Sequence, residues 1–133
     1  MMPTPTTSAI SEAESRVMEV LWERAPRASE EIAAALHADT GWHENTVRTL
    51  LNRLLRKRAV RAARDGRRYL YAPLLTREQW QSQESRSLLD RVFGGKVAPL
   101  LVHFSRNEKL SAKDVAALRK LVDELESKEH RRD

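Results

Sequence analysis

At 133 residues the chain is long enough for one domain with an appendage and too short for a large multidomain enzyme. Its 41% hydrophobic and 32% charged residues are ordinary globular usage, but only 5% are aromatic and only four are Gly, which excludes a turn-rich β-sandwich or barrel and points to helices around an aliphatic core. Zero Cys excludes disulfides, thiolate metal sites and a cysteine nucleophile, while a net charge of +5 favours a polyanionic partner.

The opening Met-Met-Pro-Thr-Pro-Thr-Thr-Ser-Ala lacks the basic and apolar regions of a secretory signal, so residues 1–8 are expected to form a flexible leader. Ser11 with Glu14 is a capping box that opens a helix over about 12–24, with Val17, Met18 and Leu21 at helical spacing and Pro26 as its stop. Ser29 is a second N-cap candidate, followed by Glu30 and Glu31 in a first turn that favours acids, and this short helix is expected to end near Ala38 before an Asp39-Thr40-Gly41 turn. Val47, Leu50, Leu51 and Leu54 fall at i, i+3, i+4 and i+7, the mark of an amphipathic helix reaching about Lys57. Residues 60–64 and 67–73 then read as two strands around an Asp65-Gly66 turn. Short helix, turn, helix and basic hairpin make a winged helix-turn-helix.

The rest of the chain is again helical. Thr76 with Gln79 opens a long helix through Trp80, Leu88, Leu89, Val92 and Phe93, closed by Gly94-Gly95. A shorter helix carries Val97, Leu100, Leu101 and Phe104, with Pro99 tolerable in its first turn. Its 97–102 stretch is the longest apolar run, far short of the roughly 20 residues a membrane helix needs, so the expected address is the cytoplasm. Ser111 and Asp114 start a last helix in which Val115, Leu118, Val122 and Leu125 alternate spacings of three and four, a helix-pairing seam. Trp22 and Trp42 are read as packing residues. The expected fold is mainly α: a leader at 1–8, a winged-helix DNA-binding domain at 9–74, a three-helix dimerisation domain at 75–128 and a polar tail at 129–133. The dimer seam is assigned to Leu88, Val92, Leu100, Leu101, Phe104, Val115, Leu118, Val122 and Leu125. The competing reading folds these helices back on the first domain.

Charge is concentrated. Residues 1–43 are net −4 and residues 74–133 net +2, whereas residues 44–73 are net +7 and include eight Arg. Arginine presents a planar fork that matches phosphates and guanine edges, so double-stranded DNA is the expected partner. On the polar face of the third helix Asn45, Thr46, Arg48, Thr49 and Asn52 are assigned to base edges, and His43, Arg53, Arg56, Arg67 and Arg68 to phosphates. Only Glu44, in the first turn, is acidic there.

Catalytic apparatus is absent from the pattern. His43-Glu44 begins like a zinc-protease motif but Val47 stands where the second His is required, and Gly at 41, 66, 94 and 95 alone forms no phosphate loop. His37, His43, His103 and His130 have no ligand spacing, so no enzyme activity, metal or cofactor is expected. Two rival readings are a winged-helix protein adaptor, disfavoured by the acid-poor face, and an effector-binding regulator, for which the C-terminal helices lack a convergent polar cluster.

Ser11, Glu14, Val17, Met18, Leu21 and Trp22, then Gly41-Trp42, Thr46-Val47, Thr49-Leu50-Leu51 and Arg53-Leu54, then Gly66-Arg67 with Tyr69 and Tyr71, and finally Glu84 to Leu89 and Phe93-Gly94-Gly95 resemble the penicillinase repressor family of BlaI/MecI type over residues 8–127. The resemblance implies a bacterial homodimeric winged-helix transcriptional repressor on palindromic operators. In the resistance branch it implies derepression by a membrane sensor whose zinc metalloprotease domain triggers cleavage in the dimerisation region. Three positions depart from the family pattern. Arg58 replaces the usual Gly after the recognition helix, so the helix is expected to end differently or run on, with a small shift of the wing. The family's Asn-Phe cleavage bond corresponds here to His103-Phe104, the candidate cleavage residues. The C-terminal Cys cluster of the copper-responsive relatives is missing.

Overall fold

The computed structural model describes residues 9–132; the leader expected at 1–8 lies outside the described residues. Nine elements follow in chain order: α1 (Glu12–Glu23), β1 (Arg27–Ala28), α2 (Ser29–Thr40), α3 (Glu44–Arg56), β2 (Val60–Asp65), β3 (Arg68–Pro73), α4 (Arg77–Val92), α5 (Val97–Asn107) and α6 (Ala112–Arg132). They form two compact units that divide inside α4, between Ser85 and Arg86.

The first unit is built as the pattern of Ser11 and Glu14 requires. The Ser11 hydroxyl accepts from the Glu14 amide at 3.1 Å and the Glu14 carboxylate accepts from the Ser11 amide at 2.7 Å, which satisfies two orphan donors of α1. Val17, Met18 and Leu21 from α1, Ile32 from α2 and Val47, Leu51 and Leu54 from α3 are all buried and close one aliphatic core with Val60 and Leu75. Trp22 does pack: its indole N–H donates to the Leu75 carbonyl at 2.8 Å and its ring lies 5.3 Å from that of Trp80. Trp42 is half-buried against the same core.

Several expectations need correction. Ser29 is the first residue of α2 rather than its cap; the cap is Ala28, whose amide donates to Glu31 at 3.1 Å, so the Ser29 hydroxyl is free to donate elsewhere. The same helix runs past Ala38 to Thr40, whose hydroxyl donates to the Leu36 carbonyl, and ends in Gly41 at φ 71°, a conformation suited to Gly. The hairpin turns one residue later than expected, on Gly66-Arg67, because Asp65 pairs with Arg68; Gly66, with φ 63°, stands where a II′ loop needs a glycine. A third strand also exists. β1, only two residues long, pairs antiparallel with β3 and gives the order β1-β3-β2.

A further correction concerns Arg58. α3 neither runs on nor ends differently: Lys57 is its C-cap and Arg58 takes the left-handed conformation, φ 59°. The Arg58 amide donates to the Leu55 carbonyl at 3.0 Å and the Ala59 amide to the Leu54 carbonyl at 2.9 Å. These are the two bonds of a Schellman motif, kept here by a non-Gly residue.

In the second unit Pro99 sits in the first turn of α5, and Ser111 and Asp114 exchange amide bonds ahead of α6. Residues 129–132, set apart above as a polar tail, continue α6. Among residues 86–132 Leu89 is the one large apolar side chain buried, whereas Leu88, Val92, Val97, Leu101, Val102, Phe104, Val115, Leu121, Val122 and Leu125 are exposed. No helix among the described residues is long and apolar enough to cross a membrane.

Candidate nucleic-acid interface

α3 separates its residues cleanly. Val47, Leu50, Leu51 and Leu54 are buried, and Asn45, Thr46, Arg48, Thr49, Asn52, Arg53 and Arg56 are exposed. At 100° per residue, Asn45, Thr49, Asn52 and Arg56 point directly away from the core, Arg48 lies on one edge of that face, and Thr46 and Arg53 lie on the other. His43, also exposed, is the N-cap of α3, with its ring 5.6 Å from that of His37. The Thr49 hydroxyl donates back to the Asn45 carbonyl at 3.0 Å.

The wing stands beside this face. Arg48 and Asn52 from α3 and Arg67, Arg68 and Tyr69 from the hairpin line one groove of about 530 Å³. The predicted residues of that edge are therefore brought together, while Thr46 and Arg53 sit apart from the groove.

The basic residues differ in how far they are already neutralised. Arg48 donates to Glu44 at 2.6 Å. Arg68 has Glu30, Glu31 and Asp65 within 3.3–3.8 Å. Among the described residues of the basic segment, Arg53, Arg56, Arg58, Arg61, Arg64 and Arg67 have no carboxylate partner. These six carry uncompensated charge. Arg61, on exposed β2, and Tyr69 were not among the expected site residues. Tyr69 is half exposed, lies on the same strand face as the buried Tyr71, and has the Arg64 guanidinium 6.0 Å from its ring. Its period-2 relation to Tyr71 in the sequence was the available signal.

α3 is anchored at its far end by Lys57, which donates to the buried Glu14 carboxylate at 2.7 Å and to the Ala9 carbonyl at 2.8 Å. Burial alone would raise the Glu14 pKa, but the bonds from Lys57 and Ser11 outweigh it and hold the carboxyl below its ordinary 4.5. Lys57 is thereby committed to structure. Among the described residues no group of three or more His, Asp or Glu converges as a metal site.

Of the expected seam, Leu88, Val92, Leu101, Phe104, Val115, Val122 and Leu125 are exposed, and Leu100 and Leu118 are half-buried. His103 and Phe104 are both exposed in the middle of α5.

Comparison with known proteins bears on most of the chain. The penicillinase repressor of Bacillus licheniformis is 29% identical over 115 residues, covering 86% of this chain and 90% of that protein. The methicillin resistance regulatory protein MecI of Staphylococcus aureus (strain N315) is 26% identical over 117 residues, covering 88% and 95%. The solution structure of the DNA-binding domain of the repressor BlaI superposes with a TM-score of 0.51 at 29% identity, over 57% of this chain and 93% of that domain. A family model described as penicillinase repressor matches residues 10–124, and the chain therefore belongs to the penicillinase repressor family.

Proposed function

We propose that the protein is a transcriptional repressor of the bacterial cytoplasm that binds a palindromic operator in double-stranded DNA as a homodimer. The observation that carries this reading is the exposed outer face of α3, amide-, hydroxyl- and Arg-bearing, sharing a groove with a basic hairpin. A helix with this face fits the major groove, where Arg and Asn read purine edges, while the wing's free guanidinium groups meet phosphates. The names of its relatives as repressors and the solved DNA-binding domain support it.

The homodimer is supported by the second unit. Its three helical segments leave ten large apolar side chains exposed and bury one, more than monomers ordinarily present to water. A second copy offers the same faces, and an isologous pairing covers both sets at once. Repression is lifted by a signal acting on this unit; for the resistance branch of the family that is proteolysis downstream of a membrane sensor. Here the His103-Phe104 bond lies within hydrogen-bonded α5, so cutting it requires local unwinding.

Footprinting on genomic fragments retained by the purified protein tests this reading. Two protected half-sites with centres one helical turn or a multiple apart are expected. A single asymmetric footprint, or none, contradicts it.

A further inference from the structure

Glu44 is a carboxylate on a helix face that otherwise carries no acid, in the first turn of α3. Near phosphates it would repel, so its presence on a DNA-reading helix calls for a compensating role. Its Oε1 accepts two bonds. Ser29, whose side chain is buried at the start of α2, donates to it at 3.1 Å, and Arg48 donates to it at 2.6 Å. The chain Ser29–Glu44–Arg48 thus ties the Arg48 guanidinium, through one carboxylate, to a fixed point on another helix.

We propose that Glu44 is a positioning residue that sets base discrimination: it holds Arg48 on the wing edge of α3, in line with Asn52, and cancels its charge so that Arg48 serves as a base reader rather than a phosphate counterion. The inference rests on the DNA-reading function proposed above. Arginine has several rotatable bonds, and an untethered one reaches phosphates and several base edges alike. The tether removes most of those choices before binding, which lowers the ordering cost at the correct site and leaves the others unrewarded. Charge cancellation acts in the same direction, because nonspecific affinity follows the number of phosphates neutralised.

The test compares Glu44→Gln, Ser29→Ala, Arg48→Ala and Glu44→Gln/Arg48→Ala with the unaltered protein, by fluorescence anisotropy on the selected operator and on random duplex at several salt concentrations. Glu44→Gln should raise affinity for random DNA, steepen its salt slope by about one phosphate contact, and cut the operator-to-random ratio by about threefold to tenfold, a fraction of a full base contact. Ser29→Ala should lower the ratio without steepening the slope, since no charge changes. In the Arg48→Ala background, Glu44→Gln should leave the ratio unmoved. An unchanged ratio for Glu44→Gln, or an equal loss with and without Arg48, overturns the proposal. Absence of any operator preference in the unaltered protein overturns the DNA-reading function itself, a distinct result.

Discussion

Arg58 shows how much of a helix terminus is backbone and how little is side chain. The Schellman bonds of Arg58 and Ala59 form despite a Cβ at φ 59°, so the residue carries left-handed strain of about 1 kcal/mol. Arg58→Gly should stabilise the protein by about 0.5–1 kcal/mol, the relieved strain exceeding the added freedom of the unfolded chain, measured by thermal unfolding. The sequence showed a departure from the family there but not its outcome. Whether a helix stops at a strained residue or runs on depends on what the next residues bury, and Ala59 and Val60 are both in the core. Glu14 was legible as half of a capping box, yet its ion pair with Lys57, 43 positions away, was not, because no local pattern encodes it. The Glu14 carboxyl is held below 4.5 in the folded state. It therefore contributes stability that is fully present above the ordinary carboxylate pKa and lost as pH falls through the folded value. Urea titrations across that range should show Glu14→Gln with a flatter acid dependence than the unaltered protein. Lys57→Met, which strands the buried carboxylate, should cost about 2–3 kcal/mol near neutral pH, a lower figure than for a fully buried pair because Lys57 is partly solvated.

At the scale of elements, long periodic segments were readable and short ones were not. The i, i+3, i+4, i+7 aliphatic residues of α3 and the capping pairs that open α1, α4 and α6 reappear as hydrogen bonds and buried faces. β1 was missed because two residues have no period; Arg27 and Ala28 become a strand only through pairing with Tyr71 and Leu70. The hairpin loop was placed one residue early because Asp-Gly is a strong turn pair, while the register set by Asp65 and Arg68 decides the turn. The candidate site was legible as a helix face. Its groove was not, since that depends on where the wing lands. Removing a core leucine should therefore differ in kind from removing a groove arginine. Leu51→Ala, at a fully buried position, should cost about 2–5 kcal/mol of stability. Arg48→Ala should leave stability nearly unchanged, cost about 1–3 kcal/mol at the operator and blunt discrimination, while Arg67→Ala should weaken all duplexes alike and flatten the salt slope. Parallel melting and anisotropy titrations separate these outcomes.

For the whole molecule, composition announced helices around an aliphatic core, and the charge map placed the basic excess where α3 and the wing are found. The compact units divide within α4 rather than at its start, because Trp80 packs beside Trp22 and Arg77 binds Glu19 at 2.6 Å, contacts between distant segments that spacing alone does not reveal. The apolar faces left open on α5 and α6 support the proposal that the second unit self-associates. Leu118→Asp, which puts a charge in that seam, should give monomers by sedimentation velocity with greatly weakened operator binding. The central claim, a dimer that reads sequence through α3, is tested most directly by selecting bound sequences from random duplex DNA at two salt concentrations. A recovered palindrome, bound with an affinity that falls steeply with salt, is the predicted result; recovery of no motif, with weak salt-sensitive binding alone, would contradict it and reduce the basic segment to a nonspecific patch.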